Sequence, residues 1–143
     1  VTQFFWDTNI FIYLWEGPVR LTPLVEQLRR KMLDAQIGIV TSSMTLGELM
    51  VGPLKTDNAP LAQRYDAALK QTTTIVPFGA DTAARFASLR AQYGLKQPDA
   101  IQLACASMHG VELFITNDDK LWKLRIPGIH FIVSIETALS LIP

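Results

Sequence analysis

Gln3-Phe4-Phe5-Trp6-Asp7-Thr8-Asn9-Ile10-Phe11-Ile12-Tyr13-Leu14-Trp15 changes character at Asp7. The residues just before it are three aromatics and a glutamine, too apolar for a strand with one wet face. They read as a strand buried on both sides. Asp7, Thr8 and Asn9 are helix-capping residue types, and residues 10–15 read as the short helix that they start. Gly17-Pro18 ends that helix. A doubly buried strand running directly into a helix is how a parallel α/β sheet begins.

Outward from that segment the same unit recurs. Residues 37–41, 73–77, 112–116 and 129–133 are short, apolar and largely β-branched or aromatic, and read as four more strands. Thr22-Pro23 starts a helix, with Thr as the cap and Pro in the first turn. Leu24, Leu28 and Leu33 form its apolar stripe, and Arg29, Arg30 and Lys31 its wet side. Ser42, Ser43 and Thr45 precede a helix carrying Leu46, Leu49 and Met50, which Gly52-Pro53 is expected to stop. Residues 55–60 read as a loop. Further helices are expected over 61–71, with Leu61, Tyr65, Ala68 and Leu69 on one face, and over 81–93, with Ala84, Leu89 and Tyr93. Gln97-Pro98-Asp99 opens another helix through Met108. Asn117-Asp118-Asp119 caps a short turn through Trp122, and a last helix follows Ser134. The alternation predicts one α/β domain over residues 1–143, a five-stranded parallel sheet with helices on both faces.

Composition sets the outer bounds. The chain has 143 residues, of which 49% are hydrophobic and 18% charged, enough to bury a core and to exclude general disorder. Thirteen Lys and Arg balance thirteen Asp and Glu, which disfavours a domain that grips nucleic acid by bulk charge alone. The single cysteine, Cys105, excludes an internal disulfide and a cysteine-rich zinc site, and fits a reducing cytoplasm. Two histidines, His109 and His130, are too few for a His-rich metal site. No apolar run reaches the length of a membrane span, and the first residues do not have the pattern of a signal peptide.

Four acids stand out by position. Asp7 ends the first strand, Glu48 lies on the helix after the second, Asp99 lies in the first turn of the helix before the fourth, and Asp118 follows the fourth. Each alone can be a cap or a helix-dipole partner worth about 0.5–2 kcal/mol, and Thr45-Leu46-Gly47-Glu48 has the spacing of a capping box. Separate caps do not explain why all four can meet at the carboxyl edge of one sheet, where ligands of open α/β sheets bind. Converging carboxylates raise one another's pKa unless a cation lies among them. Hard oxygen donors suit Mg²⁺ or Mn²⁺. Such an ion can activate water and neutralise a phosphodiester in its transition state, so the residues point to a metal-dependent phosphodiesterase.

These residues also carry a resemblance. Residues 6–13 (Trp6-Asp7-Thr8-Asn9 onward), Thr45-Leu46-Gly47-Glu48-Leu49, Pro98-Asp99-Ala100-Ile101-Gln102-Leu103-Ala104 and Phe114-Ile115-Thr116-Asn117-Asp118 stand in the order found in PIN-domain ribonucleases. The chain most closely resembles the VapC-type toxins of bacterial toxin–antitoxin pairs. The resemblance implies a PIN-like three-layer fold and an endoribonuclease holding Mg²⁺ or Mn²⁺ on Asp7, Glu48, Asp99 and Asp118, which are also its catalytic acids. It implies supporting roles for Asn9 and Thr116, an RNA substrate, a VapB-like antitoxin partner and a homodimer. Asp119 is a further ligand on this pattern, or a solvated first-turn residue. Gln102 departs from the family's pattern, in which His is frequent at this position. It lies three residues after Asp99, on nearly the same helical face, and either reaches the pocket or is a partly buried neutral residue.

The remaining residues have plainer readings. Cys105 is small core filler, His109 a helix-end residue, and Phe4, Phe5 and Trp6 core. Tyr13 and Trp15 either pack internally or line a groove that an antitoxin segment would occupy. Two basic groups could meet phosphate: Arg85, Arg90 and Lys96, and then Lys120, Lys123 and Arg125. The alternative to a nuclease is a PIN-like module that binds RNA or protein without cutting, which the presence of all four acids disfavours. Setting those four aside leaves nine acids against thirteen basic residues. The neutral total is therefore a negative pocket on a mildly basic body, and metal-free RNA affinity is expected to be modest.

Overall fold

The computed structural model describes residues 2–143. Strands β1 (Gln3–Trp6), β2 (Gly38–Ser42), β3 (Thr74–Val76), β4 (Val111–Ile115) and β5 (Ile129–Val133) form one sheet. Every pairing is parallel and the spatial order is β3-β2-β1-β4-β5. The helices are α1 (Thr8–Trp15), α2 (Thr22–Asp34), α3 (Ser43–Lys55), α4 (Ala59–Thr72), α5 (Ala80–Tyr93), α6 (Gln97–His109) and α7 (Ile135–Leu141), with a 3₁₀ turn over Asp119–Leu121. The expected five-stranded α/β fold is the one observed.

The side-chain alternation of β1 explains why it sits in the middle. Phe4 and Trp6 point into a core with Ile10, Val25, Leu28 and Met32, while Phe5 points into a second core with Leu89, Leu103 and Phe114. Both faces are dry, as the aromatic content of β1 requires. Phe5 and Phe114 lie opposite one another in register and stack with ring centroids 4.9 Å apart. That contact helps to pin β4 against β1, since a slip of one residue would move every side chain to the other face. From β1 the chain winds to β2 and β3 on one side and places β4 and β5 on the other. The switch of direction opens a crevice at the carboxyl ends of the central strands.

Several local expectations change. Helix α3 does not stop at Gly52-Pro53 but runs to Lys55 with Pro53 inside it. Pro53 lies in the last turn and is buried; it forgoes the one bond that an N–H there would make to Leu49 O. Asn58 N donates 2.8 Å to Pro53 O, so the helix end is satisfied, and α4 starts at once; the expected loop over 55–60 shrinks to three residues. Thr22 is not a cap but the first residue of α2, its hydroxyl donating 2.7 Å to Tyr13 O. The buried stripe of α2 is Val25, Leu28 and Met32, and Leu33 is 69% exposed. On α5, Thr82 and Leu89 are buried and Ala84 is exposed. Cys105 is core, as expected, and burial pushes its thiol up to about 11. Among the described residues no helix is long and apolar enough to cross a membrane.

Candidate active site

Asp7 leaves the central strand and caps α1, its Oδ1 accepting 2.9 Å from Thr8 N. The capping reading is therefore correct, yet it accounts for one oxygen only. Oδ2 accepts 2.8 Å from the hydroxyl of Thr116 at the end of β4. Thr116 Oγ1 in turn accepts 3.1 Å from Asp118 N. A single buried hydroxyl thus fixes both the Asp7 carboxylate and the backbone that presents Asp118. Asp118 also caps the 3₁₀ turn, accepting 3.1 Å from Lys120 N.

Glu48 is not part of a capping box. The cap of α3 is Ser42, whose hydroxyl accepts 3.4 Å from Thr45 N. This frees Glu48, one turn further along, to project over the crevice, where Thr8 Oγ1 donates 2.8 Å to its Oε1. Asp99 sits in the first turn of α6 behind Pro98, held by backbone placement and not by a side-chain bond among the described residues.

Beneath these acids lies a polar network that the sequence reading undervalued. Gln102 is 2% exposed and lines the floor of the cleft. Its Nε2 donates 2.7 Å to Thr45 Oγ1 and 3.1 Å to Thr8 Oγ1, with a longer contact of 3.3 Å to Asp7 Oδ1. Its Oε1 accepts from the hydroxyl of Ser42. Gln102 therefore ties α6 to α1, β2 and α3 directly under Asp7. Replacing it by Leu takes away the acceptor of the buried Ser42 hydroxyl proton and the amide donor to Thr45 and Thr8, which costs about 1–3 kcal/mol. Urea unfolding of Gln102→Leu should show that loss as a lower midpoint with an unchanged slope.

The acids do converge on the carboxyl edge, but they divide between two adjoining clefts. Asp7, Asn9, Glu48, Asp99 and Gln102 line one of about 260 Å³. Asp99 and Asp118 line the other, of about 310 Å³, with Lys96, Lys120 and Lys123. Asp99 is common to both. Asp119 is exposed and lines neither. Among the described residues, no three His, Cys, Asp or Glu side chains stand close enough to form a ready ligand shell.

No ion pair holds any of the four acids among the described residues. Among the described residues the only ion pair is Lys70–Asp66, remote from all four acids. Burial raises the pKa of Asp7; its bonds from Thr116, Thr8 and Gln102 oppose this, and the charge of Asp99 adds to it. Asp99 is raised by burial and by Asp118 and Glu48, with Lys96 and Lys120 opposing. Asn9 offers a second sign. Its Oδ1 is buried without a hydrogen-bond partner, Asn9 is among the residues lining the first cleft, and it does not cap α1, because Asp7 does. Unpaired carboxylates beside an orphaned amide oxygen are a donor set that a hard divalent cation would satisfy.

Comparison with known proteins agrees with this architecture. The PIN domain family model matches residues 4–126. The chain is similar to a toxin–antitoxin complex structure from Klebsiella pneumoniae, at 36% identity and TM-score 0.64, over 90% of this chain and 95% of that one. It shares its fold with VapBC2 from Rickettsia felis bound to a DNA fragment from their promoter, at 22% identity and TM-score 0.68, over 93% and 98% of the two chains. DNA-bound VapBC from Salmonella typhimurium is similar at 23% identity and TM-score 0.66, over 94% and 99%. No curated protein matches significantly. The chain belongs to the PIN-domain family, and its acidic crevice lies at the switch point of a 3-2-1-4-5 parallel sheet. Its resemblance to the VapC-type toxins holds in the fold as well as in the motifs.

Proposed function

We propose that the chain is a divalent-metal-dependent endoribonuclease acting as the toxin of a toxin–antitoxin pair. The observation that carries this reading is the set of unpaired carboxylates at the sheet edge, two of them with raised pKa. Asp7, Glu48, Asp99 and Asp118 would hold Mg²⁺ or Mn²⁺, and Asn9, a lining residue of the first cleft with an unpartnered Oδ1, would support them. When bound, the ion supplies charge neutralisation at the phosphodiester and lowers the pKa of water. The protein contributes orientation. Thr116 and Thr8 N aim the two oxygens of Asp7, Thr8 holds Glu48, and Gln102 locks Thr8 and Thr45 beneath them. Rigid support of this kind lets carboxylates act without reorganising at each turnover.

The antitoxin would lie over the groove of about 510 Å³ whose accessible lining includes Leu14, Trp15, Arg29, Leu33 and Ile39, above the buried Trp6, Phe11 and Met32. Of the two alternatives for Trp15, both hold: it lines this groove and packs against Phe11 and Tyr65. Tyr13 does not line it; its phenol accepts 3.0 Å from Asn117 Nδ2 beside Thr116. The relatives solved as VapBC complexes support a VapB-like partner.

The test is incubation of the purified protein with structured RNA and Mg²⁺ or Mn²⁺. Cleavage should stop with chelator and return on adding excess ion. Cleavage indifferent to chelation would remove the metal from the reading. RNA that is bound and left intact with either ion would assign the chain to a non-cutting RNA-binding module instead.

A further inference from the structure

The second cleft differs from the first in sign. Lys96 precedes α6, while Lys120 and Lys123 follow Asp118, so sequence distance hides that all three rim one cavity. The other basic side chains in the same stretches are engaged elsewhere. Arg85 reaches Ser107, Arg90 Nε donates 3.2 Å to Leu95 O, and Arg125 lies against Leu124 O at 3.5 Å. The three lysines make no ion pair with any described residue. The cavity wall is fixed: Tyr93, also in its lining, donates its phenol proton 2.9 Å to Arg125 O. Asp99 joins the two clefts into one trough, acidic at the Asp7 end and lysine-rimmed at the other.

The geometry points to the Lys96–Lys120–Lys123 cleft as a subsite for backbone phosphate of single-stranded RNA, next to the scissile phosphate at the acids. The inference rests on the nuclease reading and deepens it. A polyanion laid along this edge is repelled by the acids until their charge is neutralised, and is attracted by free ammonium groups one cleft away. The lysines therefore hold the strand in place and fix which side of the acids it extends from.

Binding of a labelled single-stranded RNA, followed by fluorescence polarisation across a salt series with Mg²⁺, tests this. It uses an Asp7→Asn background so that the RNA stays intact. The triple change Lys96→Ala, Lys120→Ala, Lys123→Ala should weaken binding about tenfold or more at physiological salt. It should also flatten the slope of log K against log[salt] by about 2, given about 0.7 per single-strand phosphate contact. Lys31→Ala, Lys55→Ala, Lys70→Ala removes the same charge from α2, α3 and α4, and should leave the slope nearly unchanged. Replacing the three cleft lysines by Arg should retain binding. Equal losses from both triple variants would reduce the cleft to bulk charge and overturn the inference, as would an unchanged slope in the first. Poly-glutamate competing as well as RNA of equal charge would assign the cleft to an acidic peptide. Cleavage by the wild type is measured alongside. Its absence would sink the nuclease reading while the binding series still decides the cleft.

Discussion

Asp7→Asn and Asp99→Asn should each abolish metal-dependent RNA cleavage and, in metal-free buffer, raise the melting temperature. The activity loss should exceed about 10²-fold, the upper range for losing a residue that only supports a metal ligand. Both residues line the same cleft, and neither carboxylate makes an ion pair among the described residues. The stability gain follows from the sign of the shifts. Both carboxyls have pKa values raised in the folded protein, mainly by burial. A raised carboxyl favours the folded state below its unfolded pKa, and that advantage is lost as pH rises through the folded value. At neutral pH each carboxylate therefore opposes folding, and Asn removes the charge while keeping an oxygen that can cap α1. The wild type without metal should lose stability relative to both variants as pH is raised from below 3.8 to 7, with the gap opening across the raised carboxyl range. Saturating Mg²⁺ should narrow the gap by stabilising the wild type alone. Scanning calorimetry against pH, with and without ion, measures both trends. Variants that melt lower than the wild type at pH 7 without metal would contradict the account.

Gly128→Ala should be the costliest small substitution on the far side of the sheet, at about 2–5 kcal/mol. Gly128 has φ +92°, a conformation that L side chains rarely adopt, and a Cβ there would stand 2.1 Å from Ser107 O. Left-handed backbone costs about 1–2 kcal/mol and overpacking about 1–3. The obstructing atom is backbone at the end of α6, and Ser107 is tied to Pro127 O through its hydroxyl, so neither side can yield easily. Gly110 supplies the control. Its φ is +83°, but a Cβ there would meet nothing within 4 Å. Gly110→Ala should therefore cost only the conformational part, about 1–3 kcal/mol. Urea midpoints of the two variants compare them directly. Equal losses would mean that contact with Ser107 adds nothing.

The α/β alternation was legible because it depends on local periodicity, and the three aromatics of β1 can be satisfied only with both faces covered. The acids were legible as a set because each lies at a strand end or helix start. Their division between two clefts was not, since it depends on β4 and not β2 lying beside β1 on the Asp118 side. Gln102, Thr8, Ser42 and Thr45 were undervalued for a different reason. Hydroxyl and amide residues at helix starts are also what capping requires, and Ser42 does cap α3 while serving the network. Lys96 reads with Arg85 and Arg90 along the chain, and only the fold brings it into one cavity with Lys120 and Lys123. On α2 a stripe through Leu33 is off by one residue from the buried Met32, because neighbouring apolar residues leave the phase of a short helix open.

The bond from Thr116 to Asp7 joins residues 109 positions apart, and β4 pairs directly with β1. A ribosome finishes β1, α1, β2 and α3 long before it delivers the strand that carries Thr116. Until then Asp7 has one oxygen unheld, Asp118 is not yet made, and the central strand lacks a neighbour on one side. The acidic edge is thus among the last parts of the domain to be assembled. An unfinished copy tethered to its own message carries the first acids without the means to align them, a delay written into the order of the strands.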